Sequence, residues 1–306
     1  MKMKEILLEG LYVLAGLVSL ITGYMALKDR ELSTRIGTAL FWGILAVIFI
    51  IGKYLPPSVV GFMLFIMGIL TAFKQVRLGS LKNADEKFRK EKARLIGNKI
   101  FIPALTIAVF AFGIAQFTEL GGLVGLGFGA IAATIIALVM TKAEIKYVGY
   151  DGSRLLQQVG SVSILPQLLA ALGALFNAAG VGQVIAQGIS SIIPEGNVLA
   201  GVIAYCVGMA IFTMIMGNAF AAFAVITAGI GLPFVFSQGA NPAIAGALAL
   251  TAGYCGTLMT PMAANFNIVP AAILETKNKN RVILSQIPFA LALLATHIVL
   301  MYILAF

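Results

Sequence analysis

The chain has 306 residues, 60% of them hydrophobic and only 11% charged, with a mean hydropathy of +1.00. A soluble domain carries about 25% charged residues, so the composition excludes a soluble globular protein and predicts an all-α polytopic membrane protein in the lipid bilayer. The net charge of +9 does not imply nucleic acid: much of the excess lies in one hydrophilic connection, as expected of a cytoplasmic membrane loop.

A transmembrane helix needs roughly 20 apolar residues. Such runs fall at about 6–26, 36–54, 58–73, 100–117 and 123–141, and again at 198–215, 220–236, 242–258 and 283–304. With the interrupted run 163–193, this predicts about 8–10 transmembrane helices, with a re-entrant helical hairpin and a broken helix. The first run is too long for a signal-peptide core and lacks an A-x-A pattern, so it is expected to remain as a helix. Residues 1–149 read as scaffold and partner-interface helices, and 150–306 as a transport-like domain.

The connection 74–99 carries Lys74, Arg77, Lys82, Lys87, Arg89, Lys90, Lys92, Arg94 and Lys99 against Asp85, Glu86 and Glu91. Cytoplasmic loops are rich in Lys and Arg, so this connection anchors the topology. For 82–95 two readings are open, a short surface helix against anionic headgroups and a solvated loop. Thr118–Gly122 is expected to turn the fourth and fifth spans into a hairpin. The segment 150–158 reads as an interfacial approach to the membrane.

The run 163–193 is punctuated by Gly173, Gly180, Gly182 and Gly188. Its halves, 164–178 and 181–193, are too short to span about 30 Å of hydrocarbon. A re-entrant hairpin turning at Asn177–Gly182 fits this run, and two tight conventional helices are the alternative. Pro194–Asn197 closes it.

The segment 198–236 then breaks at Met216-Gly217-Asn218-Ala219, and a second interruption is expected over 253–267, through Gly253–Pro261 to Asn265 and Asn267. Irregular backbone at membrane depth is tolerated only where protein buries it or it lines a cavity, and broken helices form binding sites in secondary transporters. The basic Lys277, Lys279 and Arg281 read as a loop, and its side of the membrane stays open. Cys206 and Cys255 lack metal or redox spacing and read as core residues; His297 reads as structural or interfacial.

Between Leu155 and Ile273 the only charged side chain is Glu195, in an expected loop. Candidate substrate-binding residues are the neutral Asn177, Gly217, Asn218, Thr257, Thr260, Asn265 and Asn267. No paired acid and base, no activated nucleophile and no metal-ligand set is present, so no catalytic residue is assigned and enzyme chemistry is not expected. Helix N-termini can hold a small organic anion without charged side chains, and freed carbonyls with Thr or Asn oxygens can hold Na⁺, here near Asn218 and Thr260. Coupling to Na⁺ or H⁺ is open, although the lack of a buried carboxylate disfavours H⁺ carried by this chain alone.

Gly160–Leu165 with Leu172–Gly182 resembles the re-entrant hairpin of gluconate permease-like members of the ion-transporter superfamily. Gly217–Ile230 resembles their broken helix, and Asn241–Ala243 with Gly253–Asn267 continues the similarity over about 120–306. The whole chain resembles an uncharacterised domain-of-unknown-function family of bacterial inner-membrane proteins, typically encoded beside a second membrane protein and often near a pyroglutamyl peptidase. That resemblance implies an inner-membrane permease for a small carboxylate such as 5-oxoproline. Superfamily members carry two inverted repeats, whereas one hairpin and one broken helix are visible here. The resemblance therefore implies half a transporter, completed by a second membrane protein or, less readily, by a homo-oligomer. A non-transporting scaffold subunit is the alternative.

Overall fold

The computed structural model describes residues 2–81, 86–190, 196–278 and 280–306. Lys82, Asp85, Pro194, Glu195 and Lys279, used above, lie outside the described residues. Among the described residues every regular element is helical, and eight helical runs are long and apolar enough to cross a membrane. The chain is an all-α, multi-pass membrane protein. It divides into two compact units, 1–160 and 161–306.

The first unit contains α1 (Lys2–Lys28), α2 (Arg35–Ile51), α3 (Pro57–Ala72), α4 (Glu86–Ile96), α5 (Ile102–Phe117), α6 (Gly122–Thr141) and α7 (Lys146–Val159). Without a hydrophobic driving force between helices in lipid, small residues that allow close approach mark the interfaces. Gly16 faces Ala46 and Ile50, and Gly23 faces Ala39 and Trp42, so α1 and α2 pair antiparallel. Gly125 and Gly129 lie against the backbone of Phe110 and Ile107, which closes the α5–α6 hairpin. Its turn forms where expected, with Gly121 at φ 81°, a region that only glycine enters freely.

The segment 150–158, expected as an interfacial approach, belongs to α7, a helix tied to the rest of the unit at two buried residues. Its buried Ser153 meets Thr22 Oγ1 of α1 at 3.3 Å, and its buried Gln157 accepts the Gly79 N–H at 3.0 Å. Two of the polar residues that look interfacial in sequence are used by these ties. Beside them the Asp29 carboxylate accepts the Ser80 N–H at 2.5 Å and the Glu31 N–H at 3.1 Å. Burial alone would raise the Asp29 pKa, but these amide donors outweigh it and lower the pKa below the ordinary carboxylate value.

The second unit contains α8 (Leu165–Ala178), α9 (Val181–Ser190), α10 (Val198–Met216), α11 (Ala219–Ile226), a π turn (Thr227–Gly231), α12 (Leu232–Phe234), α13 (Pro242–Leu258), α14 (Ala264–Ile273) and α15 (Arg281–Leu304). Its core is a cluster around Val202, Tyr205, Met209, Ile226, Ala249 and Met301. Cys206 and Cys255 are buried free thiols, as core residues should be. His297 Nδ1 lies 2.7 Å from the Leu293 carbonyl one turn back.

Candidate functional site

The expected break at Gly217–Asn218 is present, and local chemistry explains it. Gly217 sits at φ 65° and ends α10 in a left-handed cap, its N–H bonded to the Thr213 carbonyl at 2.7 Å. Asn218 then caps α11, its Oδ1 accepting the Phe220 and Ala221 N–H groups at 2.9 and 3.3 Å. A side chain at position 217 would meet the Met262 carbonyl at 2.5 Å, so glycine is required for space as well as for conformation.

The break also reverses the chain. Gly208 faces Ile226 and Ile230, and Gly201 faces Phe234; residues ever earlier in α10 meet ever later ones beyond the break. The two arms are therefore antiparallel. They run 19 and 20 residues, over 198–216 and 219–238, and at 1.5 Å per residue each reaches about 30 Å, the thickness of the hydrocarbon. The break, expected at membrane depth, joins the two span-length runs as two helices of crossing length, and Gly217–Asn218 lies at an end of the helical layer.

The second interruption is narrower than 253–267. Gly253 to Leu258 is unbroken α13, and only Met259–Ala263 is irregular before α14. The glycines serve packing: Gly256 lies against the Ala210 backbone, and Gly253 against Met209, Thr213 and Ala219.

The irregular segment returns to the first break and is tied there. Thr260 Oγ1 donates to the Met214 carbonyl at 2.8 Å and accepts the Met262 N–H at 3.2 Å. Asn267 is fully buried, and its Nδ2 donates to the carbonyls of Thr257 and Thr260, both at 2.7 Å. Thr257 Oγ1 donates to the Tyr254 carbonyl at 2.6 Å.

The structure thus brings Gly217, Asn218, Thr257, Thr260 and Asn267 to the two breaks at this end of the unit. Most of their polar atoms satisfy the backbone that the breaks expose. The Asn218 oxygen holds two amides, so what Asn218 can offer a ligand is its Nδ2 donor, suited to an anion. The oxygens left over are the Thr213 hydroxyl and Asn267 Oδ1, both buried without a hydrogen-bond partner. Asn265, two residues from Asn267 on the same helix, faces outward and is exposed.

Asn177 belongs to a different place. It is exposed at the end of α8, where Ala179 and Gly180, at φ 73°, join α8 to α9. The two short helices expected here are present, at 14 and 10 residues. Leu169 lies at Gly217, Gly173 at Ala221, and Gly182 at Val225, Ala228 and Gly229, so they lie in order along one flank of α11 and reach the π turn.

That junction is the feature sequence reasoning missed. Gly182 and Gly229 meet backbone to backbone, the Gly182 carbonyl standing 2.5 Å from where a side chain on Gly229 would begin. The Tyr205 hydroxyl and Thr227 Oγ1 share a hydrogen bond of 2.7 Å at the π turn, and Pro233 just beyond has no N–H to return to the preceding turn. Exposed Asn177, Gln183 and Gln187 stand on the α8–α9 side. The signal in sequence is Thr227-Ala228-Gly229-Ile230-Gly231 ahead of Pro233: two glycines and a downstream proline within a span, where a π turn is accommodated and a second backbone can approach.

No curated protein and no solved structure matches the chain. A family model described as a protein of unknown function, DUF979, matches residues 9–306, and the chain belongs to that family.

Proposed function

We propose that the protein is a subunit of a secondary transporter that moves a small organic anion across the bacterial inner membrane. The observation that carries this reading is the junction between the α8–α9 joint and the π turn. The π turn lies well inside an arm of crossing length, 9 to 13 residues from its start, and irregular backbone at that depth belongs beside buried protein or a water-filled path. Exposed Asn177 and Gln183 on the α8–α9 side favour the path, because an amide facing hydrocarbon without a partner is costly.

In this reading a carboxylate, with 5-oxoproline as the first substrate to try, takes hydrogen bonds from neutral donors: the Asn177 amide at the junction, and Asn218 Nδ2 with Asn265 at the end of the unit. Coupling is to Na⁺ or H⁺. For Na⁺, Thr213 and Asn267 are better oxygen sources than Asn218, whose oxygen is committed to the α11 cap, while Thr260 keeps one lone pair. A second membrane protein supplies the other half of the pathway; a homo-oligomer is the less economical arrangement. The protein performs no chemistry on the substrate.

One observation favours the second reading, a scaffold subunit that carries nothing. Thr257, Thr260 and Asn267 are used inside the fold.

Uptake of radiolabelled 5-oxoproline separates the two readings. Cells lacking their own carrier would express this chain, its membrane partner, or both. The informative variants are Asn218→Ser, which keeps a capping oxygen and removes the amide donor, and Asn177→Leu. Uptake that needs both proteins and falls at least tenfold in either variant, with membrane levels unchanged, is expected. Uptake untouched by both variants but abolished by deleting the chain would establish the scaffold instead.

A further inference from the structure

The basic helix α4 is unused by this reading, and the first unit gives it a partner surface. Helical spacing divides it cleanly. Lys87, Lys90, Glu91 and Arg94 fall on one face, with Lys90 paired to Glu86 at 2.7 Å. Phe88, Arg89, Lys92, Ala93 and Ile96 fall on the other. That second face forms one wall of a groove of about 400 Å³, whose opposite wall includes Pro103 of α5 and Ala137 and Met140 of α6.

The groove's chemistry is lopsided. Its walls are almost entirely carbon, its only charged lining residues among the described ones are Arg89 and Lys92, and neither acid of α4 lines it. Lys92 Nζ stands 5.4 Å from the centroid of the Phe88 ring, within cation–π range, so the cation sits at an apolar wall, and among the described residues no carboxylate pairs with it. Two cations whose stems cover apolar surface, beside a carbon-lined slot at the ends of crossing helices, suit a molecule with an anionic head and a hydrocarbon tail. The volume also fits: at about 30 Å³ per methylene-sized group, the slot takes roughly a dozen chain carbons.

We propose that the juxtaposition of Arg89 and Lys92 on α4 with the apolar wall of α5 and α6 forms a binding site for one anionic phospholipid. The phosphate sits at the two cations and an acyl chain fills the groove. The bound lipid then completes the packing of α4, which has no buried residue of its own, and holds the basic connection at the membrane surface.

Native mass spectrometry of the full chain, released from detergent after titration with phosphatidylglycerol or phosphatidylcholine, tests this. The wild type is expected to retain one phosphatidylglycerol with roughly tenfold or greater preference over phosphatidylcholine, as two surface cations supply. Arg89→Gln with Lys92→Gln should abolish the preference. Met140→Trp should lose the lipid while keeping both charges, and Lys87→Gln with Arg94→Gln on the outer face should retain it. Excess inorganic phosphate should not displace the lipid. Equal loss in the outer-face variant would overturn the site in favour of diffuse surface charge. Displacement by phosphate would reduce it to an anion contact, and equal retention of phosphatidylcholine would remove the headgroup role. Should Met140→Trp fail to fold, the two charge variants decide the matter by themselves.

Discussion

Asn265 and Asn267 show how much one residue's direction decides. They lie two positions apart on α14, so their side chains diverge by more than half a turn. Asn267 points inward and ties the ends of α13 and the irregular segment together through two 2.7 Å bonds. Asn265 points outward. Asn267→Ala leaves two carbonyls without a donor in a buried site, at a cost of about 1–3 kcal/mol. In detergent its unfolding temperature should fall by several degrees, while Asn265→Ala should leave that temperature unchanged and affect uptake alone. Equal melting temperatures for the two variants would contradict the inward tie. Asp29 makes a second case at this scale. Its pKa is lowered, so its stabilising effect is complete above the ordinary carboxylate value, near 4, and is lost as pH falls through the depressed value. Acidification below about pH 4 should loosen the 79–80 segment from the α1–α2 loop, read as faster amide exchange at Ser80. Asp29→Asn should show that faster exchange already at neutral pH.

The helices themselves were largely legible. Nearly every apolar run of span length became a helix within a few residues of its expected ends, because a helix is the only open way to satisfy backbone in lipid. The Gly217–Asn218 break was legible too, since a left-handed glycine followed by an N-capping Asn is local chemistry. Its direction was not: the same two residues serve a bend or a reversal, and only the non-local contacts of Gly201 and Gly208 distinguish them. Gly253 and Gly256 misled for a related reason. Glycine in sequence signals either a break or a close approach, and here α10 settles it by packing against both. The binding candidates suffered likewise, because Thr257 and Thr260 look available until the carbonyls they serve are in place. The close-approach reading has a direct check. Gly256→Ala would drive a methyl into the Ala210 backbone and push α10 from α13, destabilising by about 1–3 kcal/mol. Gly43→Ala meets nothing within 4 Å and should be neutral or stabilising by up to about 1 kcal/mol. A melting comparison in which Gly256→Ala matches Gly43→Ala would remove the glycine contact as the basis of that interface.

At the scale of the molecule, the asymmetry between the two units is what makes a partner necessary to the proposed function. Short paired helices, the Gly217–Asn218 break and a π turn all lie in 161–306, while the first unit consists of longer helices joined by turns, two short 3-10 segments and the basic connection. A pathway built from one such set has one lined side. In the proposed reading the other side comes from outside the chain, and the basic connection argues against inverted copies, since Lys and Arg hold one orientation. That orientation is measurable. From Gly97 a short 3-10 segment and then α5 lead to Phe117; 5 residues at 2.0 Å and 16 at 1.5 Å give about 34 Å, enough for one crossing. Glu91 on α4 and Glu119 in the α5–α6 turn are both exposed and should therefore face opposite sides. The native Cys206 and Cys255, at 0% and 2% exposure, should stay silent, so single Glu91→Cys and Glu119→Cys variants can be labelled in the otherwise native chain. A membrane-impermeant maleimide should reach Glu119→Cys in intact spheroplasts and Glu91→Cys only after lysis. The reverse order would place the basic connection outside. Labelling of both from one side would mean that α5 does not cross. Labelling of each variant from both sides would reveal two orientations in one membrane, and with them the inverted homo-oligomer that the charge distribution argues against.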